Sequence, residues 1–544
     1  MKSQQALTAV QRARKPFLAM FGRTRVRLVA CASAIAVGTA LLTGAGGFGL
    51  ASASASSSSG PTFYTAFSAD PSPLDPDTFY EAEGELIMQS TYQSLLTFAS
   101  NSSTLQPQLA TSWTESKNGL TYTFELRKGV KFSDGTPFNS TAAKDSFERR
   151  AAMKGGPSYM VADIKSIDTP SPDKLIIHMI HPQSPFLTYL ASPFGPMMES
   201  PTAIKEHTVK GDHASHWLGS HSAGTGPYVL TSVQPNVRYV LTANPYYWGP
   251  KPYFKTANIA VIPDFSTQQL EVESGQLTGV MHGLTTQAYD SLRANSKVEV
   301  QTFPTLLDTV LDVNPASKVF DNATVRAALR DALDNKTITT EVFGADASPA
   351  MNFYPTGMLP NGAVPEDSVY KPSLLASALK SYKGDKVTVG WSQDVADQLV
   401  ANIVAATLQK DGLNATVEEI PAPSVINQLP TTPRLRPDLL VGDMNPDSTS
   451  PDTWARIYNY TNAPVNWQGA SVPAADKVLD QAVTASNAKT ALKLEIKAAT
   501  MYRNSNYFDP ISDDDDTMVF SKGITGFHSL ITYQYVINLA DLRR

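Results

Sequence analysis

Residues 105–138 read LQPQLATSWTESKNGLTYTFELRKGVKFSDGTPF, and they contain clear signals for a strand and a turn. Over residues 121–126, apolar and polar side chains alternate, and three large apolar ones share a face: Tyr122, Phe124 and Leu126. Strict alternation is typical of a β-strand with one buried face. Asp134 and Gly135 follow closely, and this dipeptide favours a tight turn. The stretch therefore predicts a half-buried strand and a tight connection after it.

Elsewhere, apolar periodicity predicts further strands and helices. Alternating or continuous apolar runs predict strands over 63–67, 174–180, 386–391, 415–420, 438–441, 517–520 and 533–537. Apolar residues three and four positions apart predict helices over 81–96, 140–150, 321–333, 395–408 and 472–502. Because strands and helices alternate after about residue 380, we expect an α/β lobe there.

Length and composition indicate a folded protein with more than one core. The chain has 544 residues, of which 42% are hydrophobic and 17% charged. This is the composition of globular proteins, and the length exceeds what one core usually supports. Internal repeats are not apparent, which argues against a solenoid.

The first 53 residues are predicted to be an export signal. They carry seven Lys and Arg residues and no Asp or Glu, followed by an apolar stretch from Leu28 to Leu50 and small residues from Ala51 to Ala55. A basic start, an apolar segment and an Ala-x-Ala site together are typical of a cleaved signal peptide. We expect a mature N-terminus near Ser54 or Ser56, with residues 54–60 as a Ser-rich tether. The alternative is an uncleaved membrane anchor, since about 20 apolar residues can span a bilayer.

Cysteine and charge restrict the function classes. The single cysteine, Cys31, opens the apolar stretch instead of closing it, so we interpret it as part of the signal and not as a lipidation site. Without residues 1–53 the chain keeps 37 basic and 50 acidic residues, a net charge of about −13. An acidic chain of this kind lacks the basic surface that nucleic-acid binding requires.

Three stretches carry a resemblance to a known family. The stretch at 105–138 is similar to the family motif LA-x-x-W followed by Y-T-F-x-L-R-x-G-V-K-F-x-D-G-x-P-F. The second is Gly224-Thr225-Gly226-Pro227-Tyr228 with Asn244-Pro245-Tyr246-Tyr247-Trp248-Gly249, and the third is V-R-x-A-L-x-x-A-x-D from Val325 to Asp334. The chain thus resembles family 5 of the bacterial extracellular solute-binding proteins, which includes peptide- and nickel-binding members.

The resemblance implies a fold and a function. It implies an α/β, two-lobed periplasmic-binding-protein-like clamp with mixed sheets, a discontinuous N-terminal lobe and a ligand cleft between the lobes. Lobe I would contain residues 61–308 and 508–544, lobe II would contain 309–507, and two crossovers would serve as hinges. The chain would be a monomeric, extracytoplasmic component of an ABC importer. It would deliver an oligopeptide or another polar organic solute to permease subunits and their ATPase, and it would need no cofactor.

The sequence departs from the peptide-binding members at one loop. In those relatives, a strand of the second lobe is followed by a Trp and an Asp-x-x-Asp-Pro run, whose second Asp pairs with the peptide amine. Here Asp443 stands at the Trp position, Asp447 at the first acidic position and Ser450 at the amine-binding position. We expect Asp443, Asp447 and Ser450 to contact the solute and Trp454 and Trp391 to supply apolar walls. The alternative is that the loop only caps a helix from Trp454.

Other constellations do not predict chemistry. His213 and His216 are candidate metal ligands at i, i+3 spacing, but their Gly- and Ser-rich segment favours an exposed loop. The run from Asp513 to Asp516 lacks the spacing of a calcium loop and is predicted to be a solvated turn. No nucleophile, phosphate-binding or metalloprotease motif is apparent. A secreted hydrolase, or an adhesion or chaperone-like protein on the same fold, stays as the alternative function.

Overall fold

The computed structural model describes residues 60–544 except 72, 361–362, 364–369, 392–394, 421–427, 464 and 486. The predicted signal over 1–53, Cys31 and the tether up to residue 59 lie outside the described residues. Within the described ranges, no helix combines the length and the apolar composition needed to cross a membrane.

Nineteen strands are assigned among the described residues. In chain order they are β1 (Thr62–Phe67), β2 (Leu96–Phe98), β3 (Leu105–Pro107), β4 (Ala110–Glu115), β5 (Thr121–Leu126), β6 (Ile164–Ser171), β7 (Lys174–Met179), β8 (Tyr228–Gln234), β9 (Arg238–Ala243), β10 (Thr256–Val261), β11 (Gly279–Val280), β12 (Val298–Val313), β13 (Ala347–Pro349), β14 (Lys386–Trp391), β15 (Asn414–Glu419), β16 (Leu439–Met444), β17 (Phe508–Ser521), β18 (Ser529–Leu530) and β19 (Tyr533–Ile537).

The α-helices are distributed along the whole described chain. They are α1 (Glu85–Thr91), α2 (Ser140–Met153), α3 (Phe186–Tyr189), α4 (Pro201–His207), α5 (Ser215–Leu218), α6 (Phe265–Ser274), α7 (Thr286–Arg293), α8 (Ala323–Ala332), α9 (Asn335–Val342), α10 (Ser373–Ala378), α11 (Val395–Lys410), α12 (Pro451–Tyr458), α13 (Pro473–Val483) and α14 (Ala488–Ser505). Short 3-10 turns lie at Gly156–Val161, Lys380–Tyr382, Leu429–Thr431 and Pro433–Leu435.

Two four-stranded sheets organise the first half of the chain. One has the order β1-β10-β9-β8, with β1 parallel to β10, and the other has the order β4-β5-β7-β6. The β1 sheet packs into a core that also receives Met518, Phe520 and Ile537 from the end of the chain. The first and last segments of the chain therefore fold together.

A mixed seven-stranded sheet connects the two halves. Its order is β11-β17-β12-β16-β14-β15, and β13 also pairs with β17. The long strands β12 and β17 run antiparallel from the pair Val298 and Ser521 to the pair Asp312 and Phe508. One end of this strand pair contacts the core of the first half, and the other end contacts a second core that includes Leu311, Val441 and Ile511.

The stretch at 105–138 folds as the sequence predicts. Residues 121–126 form β5, and its three alternating apolar side chains are buried together with Phe132. Gly135 has φ +86°, a left-handed conformation that glycine adopts without steric cost. Trp248 of the second motif packs on this core, where its indole N–H donates to Gln93 at 2.8 Å. These motif residues therefore stabilise the fold.

Gly224 and Gly226 are required for close backbone approach. A Cβ atom on Gly224 would lie 2.3 Å from the carbonyl oxygen of Thr91, and one on Gly226 would lie 2.5 Å from the Thr91 carbonyl carbon. Neither glycine has a positive φ. Glycine is therefore required at these positions by the close backbone contact and not by a left-handed conformation. The second motif therefore fixes the packing of residues 224–228 against α1.

Most predicted elements of the second half are present. Strand β14 has the predicted bounds, α11 and β15 follow it, and β16 begins one residue later than predicted. Helix α8 begins after Asn322, whose side chain accepts a hydrogen bond from the Thr324 amide at 2.9 Å. Asn322 is therefore the N-cap residue of α8.

Two predicted helices differ in extent. The helix predicted over 81–96 is confined to Glu85–Thr91, because Gly84 with φ +98° precedes it and the chain after Tyr92 enters β2. The region predicted over 472–502 contains two helices, with Asn487 capping the second through the Thr490 amide. In both cases a local terminator interrupts a continuous apolar pattern.

The prediction of a solvated turn at Asp513–Asp516 is wrong. All four residues lie inside β17, and Asp514 and Asp516 are buried. Pairing with β12 on one side and β13 on the other places this segment inside the sheet. The charge of these residues suggested that they are exposed to solvent, but pairing with the neighbouring strands buries part of the segment.

Candidate functional site

The loop after β16 contacts segments from distant parts of the sequence. It runs from Asp443 to the start of α12, and two cavities lie beside it. One cavity of about 380 Å³ is lined in part by Asp443. The other, of about 1110 Å³, is lined in part by Tyr80 and Tyr159, which hydrogen-bond Asp447.

Asp447 is a buried acceptor for two tyrosines. Its side chain is 3% exposed, and Oδ2 accepts hydrogen bonds from the hydroxyls of Tyr80 at 2.6 Å and Tyr159 at 2.5 Å. Burial raises the pKa of Asp447 to about 6, although both hydrogen bonds favour the charged form. Desolvation also holds the pKa values of Tyr80 and Tyr159 well above 10, so both hydroxyls keep their protons. Asp447 therefore links the loop to two distant segments of the chain.

Ser450 stands at the N-terminus of α12. It is the N-cap residue, but its side chain accepts no capping hydrogen bond. Its amide donates to Ser448 Oγ at 3.3 Å, and that hydroxyl also contacts Thr453 Oγ1 at 2.8 Å and Thr188 Oγ1 at 3.2 Å. The loop thus leads into α12 without a side-chain cap at Ser450, and its Ser448 also contacts a residue of the first half of the chain.

The two tryptophans occupy different environments. Trp454 is fully buried, donates its indole N–H to the Phe353 carbonyl at 3.0 Å and packs edge-on against Phe508. It lies in the core under the loop and lines neither cavity, contrary to the expected wall. Trp391 is half-buried at the end of β14 and packs against the second core.

The cavity beside Asp443 is rich in acidic side chains. Its carboxylates come from three separate segments: Glu341, Asp346, Asp443, Asp514, Asp515 and Asp516. No Lys or Arg is among the described residues that line it, and His282 is its only basic side chain. His282 contacts Glu83 at 3.3 Å and stacks on Tyr535 with the ring centres 4.1 Å apart.

The environment of these acids raises their pKa values. Burial raises the pKa of Asp516 to about 7, even though its Oδ2 accepts the Tyr535 amide at 2.6 Å. Burial and the charges of Asp346 and Asp513 raise the pKa of Asp515 to about 6. Burial and the neighbouring Asp443 charge hold the pKa of Asp514 well above its ordinary value. Sequence reasoning did not predict that β17 lines a cavity, because nothing local indicated that this acidic run is part of a strand.

The larger cavity has an aromatic and polar wall. Its lining includes Tyr80, Tyr159 and Tyr189 from the first half of the chain and Arg456 and Tyr460 from the second. Arg456 forms two hydrogen bonds with Asp452, each at 3.0 Å, and contacts Asp480 at 3.2 Å. Its charge is therefore compensated within α12 and its neighbour α13.

The histidine-rich segment does not assemble a metal site. His216 lies in the short helix α5, and the His213 carbonyl accepts a hydrogen bond from Arg149. Nearby, the rings of His207 and His221 both stack on Trp217. Across the described ranges, no group of three or more His, Cys, Asp or Glu side chains is placed to hold a metal ion.

Comparison with known proteins identifies similar chains. Residues 104–465 match the model for bacterial extracellular solute-binding proteins, family 5 Middle. The chain is 29% identical over 295 residues to a probable D,D-dipeptide-binding periplasmic protein, DdpA, of Escherichia coli, covering 54% of this chain and 56% of that protein. It is also 29% identical over 322 residues to the nickel-binding periplasmic protein of E. coli, covering 56% and 58%. These alignments span a little over half the length of the curated relatives.

Solved structures confirm the fold prediction. The periplasmic binding protein DppA of Helicobacter pylori, in complex with the peptide STSA, superposes with a TM-score of 0.77 at 22% sequence identity. The superposition covers 89% of this chain and 98% of that structure. The chain therefore has the mixed α/β periplasmic-binding-protein fold.

Proposed function

Since this chain belongs to family 5 of the bacterial extracellular solute-binding proteins, we propose that it is the extracytoplasmic solute-binding component of an ABC importer. It captures a peptide or another polar organic solute and delivers it to membrane permease subunits that work with an ATPase. Relatives whose names state peptide or nickel binding support this class of function.

The observation that carries the proposal is the position of Asp447. Two tyrosines from residues 80 and 159 donate to this one carboxylate, so the loop after β16 is held against the first half of the chain. A cavity of about 1110 Å³ opens beside these contacts, which is large enough for a small organic ligand. Separation of the two halves would break the contacts and open this cavity.

The hydrophobic cores support the lobe boundaries that we propose. Lobe I takes residues 61–308 and 508–544, and lobe II takes 309–507. In support, one core collects side chains from Phe63 to Phe303 and from Met518 to Leu542, whereas another collects side chains from Leu311 to Val441 together with Ile511 of β17. Among the strands that the structure describes, β12 and β17 contribute side chains to both of these cores, so we propose them as the hinges.

The remaining features of the proposal concern the whole protein. The exported chain is cleaved near Ser54 or Ser56 and acts as a monomer outside the cytoplasm. Asp443, Asp447 and Ser450 contact the solute, and Trp391 borders the cleft. Capture involves no catalytic step, because binding and release suffice for delivery.

Native mass spectrometry of freshly purified protein tests the proposal. We expect a retained small solute, which should raise the melting temperature when added back, because a ligand of the folded state stabilises it by mass action. It should also compact the protein in small-angle scattering. Chemical conversion of the retained solute, or of a peptide and ester library, would instead support a secreted hydrolase. Capture of a large folded partner with no solute would support an adhesion or chaperone-like role.

A further inference from the structure

The larger cavity, beside Asp447, has walls of a different kind from the acidic one. Among the described residues that line it, Glu81 is the only carboxylate, and Lys154 and Arg456 are the only Lys and Arg. Arg456 already pairs with Asp452 through two hydrogen bonds. Because this cavity does not concentrate charge of one sign, the uncharged surface of its walls decides which solutes it favours.

Three tyrosines supply aromatic surface to this cavity. Tyr80, Tyr159 and Tyr460 line it and are half-buried, so part of each side chain remains accessible. Their hydroxyls already donate to carboxylates, those of Tyr80 and Tyr159 to Asp447 and that of Tyr460 to Asp480 at 3.0 Å. A phenol has a single O–H to donate, so these tyrosines offer a solute mainly the carbon atoms of their rings.

Aliphatic side chains extend this apolar surface. Ile164 of the proposed lobe I and Val465 of the proposed lobe II line the cavity, and both are half-buried. Together with the tyrosines, they bring accessible hydrocarbon from both proposed lobes to one cavity. An apolar group that enters the cavity displaces water from such walls, and the free energy gained is roughly proportional to the apolar area that is buried.

The volume of the cavity leaves room for a bulky group. It measures about 1110 Å³, whereas pockets for small organic ligands usually have about 300–1,000 Å³. A solute with only small polar side chains would leave much of this space to water. A large apolar side chain would fill more of it and cover the accessible parts of the tyrosine rings, and an aromatic one would also gain from ring contacts.

We propose that the cavity lined by Tyr80, Tyr159, Ile164, Tyr460 and Val465 binds a large apolar side chain of the transported solute, aromatic or branched aliphatic. This inference rests on the proposed function, because it names the chemical class of the solute for that site. It adds to the polar contacts proposed for the loop, since the side chains that carry it lie outside residues 443–450. The solute thus presents polar groups to the loop and an apolar group to this cavity.

Titration calorimetry with matched tripeptides tests the inference. The probes Ala-Phe-Ala, Ala-Leu-Ala, Ala-Ser-Ala and Ala-Glu-Ala share their backbone and termini and differ only in the middle side chain. We expect Ala-Phe-Ala and Ala-Leu-Ala to bind at least about tenfold more tightly than the other two, because burial of a large apolar side chain contributes by that order. This comparison needs no variant and is therefore independent of any folding defect.

A second probe covers a solute that is not a peptide. Nile red is uncharged, and its fluorescence increases in apolar surroundings. We expect saturable binding of this dye to the unaltered protein. If no tripeptide binds, the response of Nile red binding to substitutions in the cavity decides whether the inference holds.

Variants then place the effect. Tyr460→Asn and Val465→Asn each replace accessible hydrocarbon by a polar group and should weaken Ala-Phe-Ala and Nile red by about fivefold or more. The control, Tyr246→Asn, changes a tyrosine that is 45% exposed and lines neither of the two cavities, so affinity should stay unchanged. Melting temperatures show whether each variant is folded.

The outcomes separate the inference from the proposed function. Binding of Ala-Ser-Ala or Ala-Glu-Ala as tight as that of Ala-Phe-Ala, or Nile red binding that the two cavity variants leave unchanged, would overturn the inference and leave the proposed function standing. If native mass spectrometry finds a retained solute without a large apolar group, the inference fails in the same way. Absence of any retained or bound solute would overturn the proposed function itself.

Discussion

The hydroxyl of Tyr159 lies 2.5 Å from Oδ2 of Asp447, although 288 positions separate the two residues in the sequence. Tyr80 donates to the same oxygen at 2.6 Å. Both tyrosines belong to the proposed lobe I and Asp447 to the proposed lobe II. These two hydrogen bonds therefore connect the proposed lobes, and removing them tests how much they contribute to the contact between the lobes.

Removal of the hydroxyls should weaken this contact. We expect Tyr80→Phe and Tyr159→Phe each to lower the free energy of unfolding by about 1–3 kcal/mol, since Asp447 stays buried and loses a donor. Urea denaturation measures this loss, and scattering without solute should show a more extended protein. Tyr64→Phe is the matched control, because this tyrosine is 45% exposed. Equal effects in all three variants would contradict the assigned contact.

The pKa of Asp447 predicts how stability depends on pH. Because its pKa of about 6 in the folded protein exceeds the ordinary value of 3.8, the folded state binds the proton more tightly. This contribution is fully present below about pH 3.8 and is lost as the pH rises through 6. Relative to Asp447→Asn, the wild type should lose on the order of 3 kcal/mol of unfolding free energy between pH 4 and pH 7. Parallel pH profiles for the two proteins would show that Asp447 does not titrate in this window.

Much of the fold could be predicted because its signals are local. Strand β5, the cap of α8 and the β14–α11–β15 unit each follow from periodicity or capping within a short segment. The family resemblance carried by residues 105–138 then implied how these elements are arranged in the whole chain. Strand β12 had no prediction, since its 16 residues include the polar segment Val298–Thr302 and Pro304.

The loop position Ser450 offers a test of peptide recognition. Without an acid there, we expect acetylation of a peptide amine to change affinity little. Ser450→Asp should strengthen amine-bearing peptides by about 1–3 kcal/mol if the loop lines the site. Because Asp also stabilises a helix as its N-cap residue, Ser450→Asn is the control that caps α12 without charge. Equal affinities of the Asp and Asn variants would exclude a role for charge at this position.

The tryptophans should differ in their effects on stability. Trp454→Ala should lower the free energy of unfolding by about 3–5 kcal/mol, because the side chain is fully buried. Trp391→Ala should cost less, since that side chain is half-buried at a strand end. Chemical denaturation compares the two variants. If the Trp454→Ala protein had normal stability but altered solute affinity, the result would support the original expectation that Trp454 forms a wall of the ligand cavity.

The site was harder to predict than the fold because its contacts are distant in sequence. Asp514 accepts a hydrogen bond from Thr309, which lies 205 positions away, and Asp447 accepts hydrogen bonds from tyrosines in the first third of the chain. A single sequence gives no signal for such pairs. The acidic run at 513–516 resembles a solvated turn until β12 and β13 pair with it from both sides.

The pairing of β12 with β17 also determines when the protein can fold during its synthesis. The partners are separated by about 200 residues, and the first core lacks Met518, Phe520 and Ile537 until the end of the chain is made. At about 5–20 residues per second, a ribosome needs roughly 10–40 s to add those residues. During that interval the N-terminal half cannot complete its native structure. For the export that we propose, this delay is an advantage, because an export machinery would meet a chain that has not yet completed its fold.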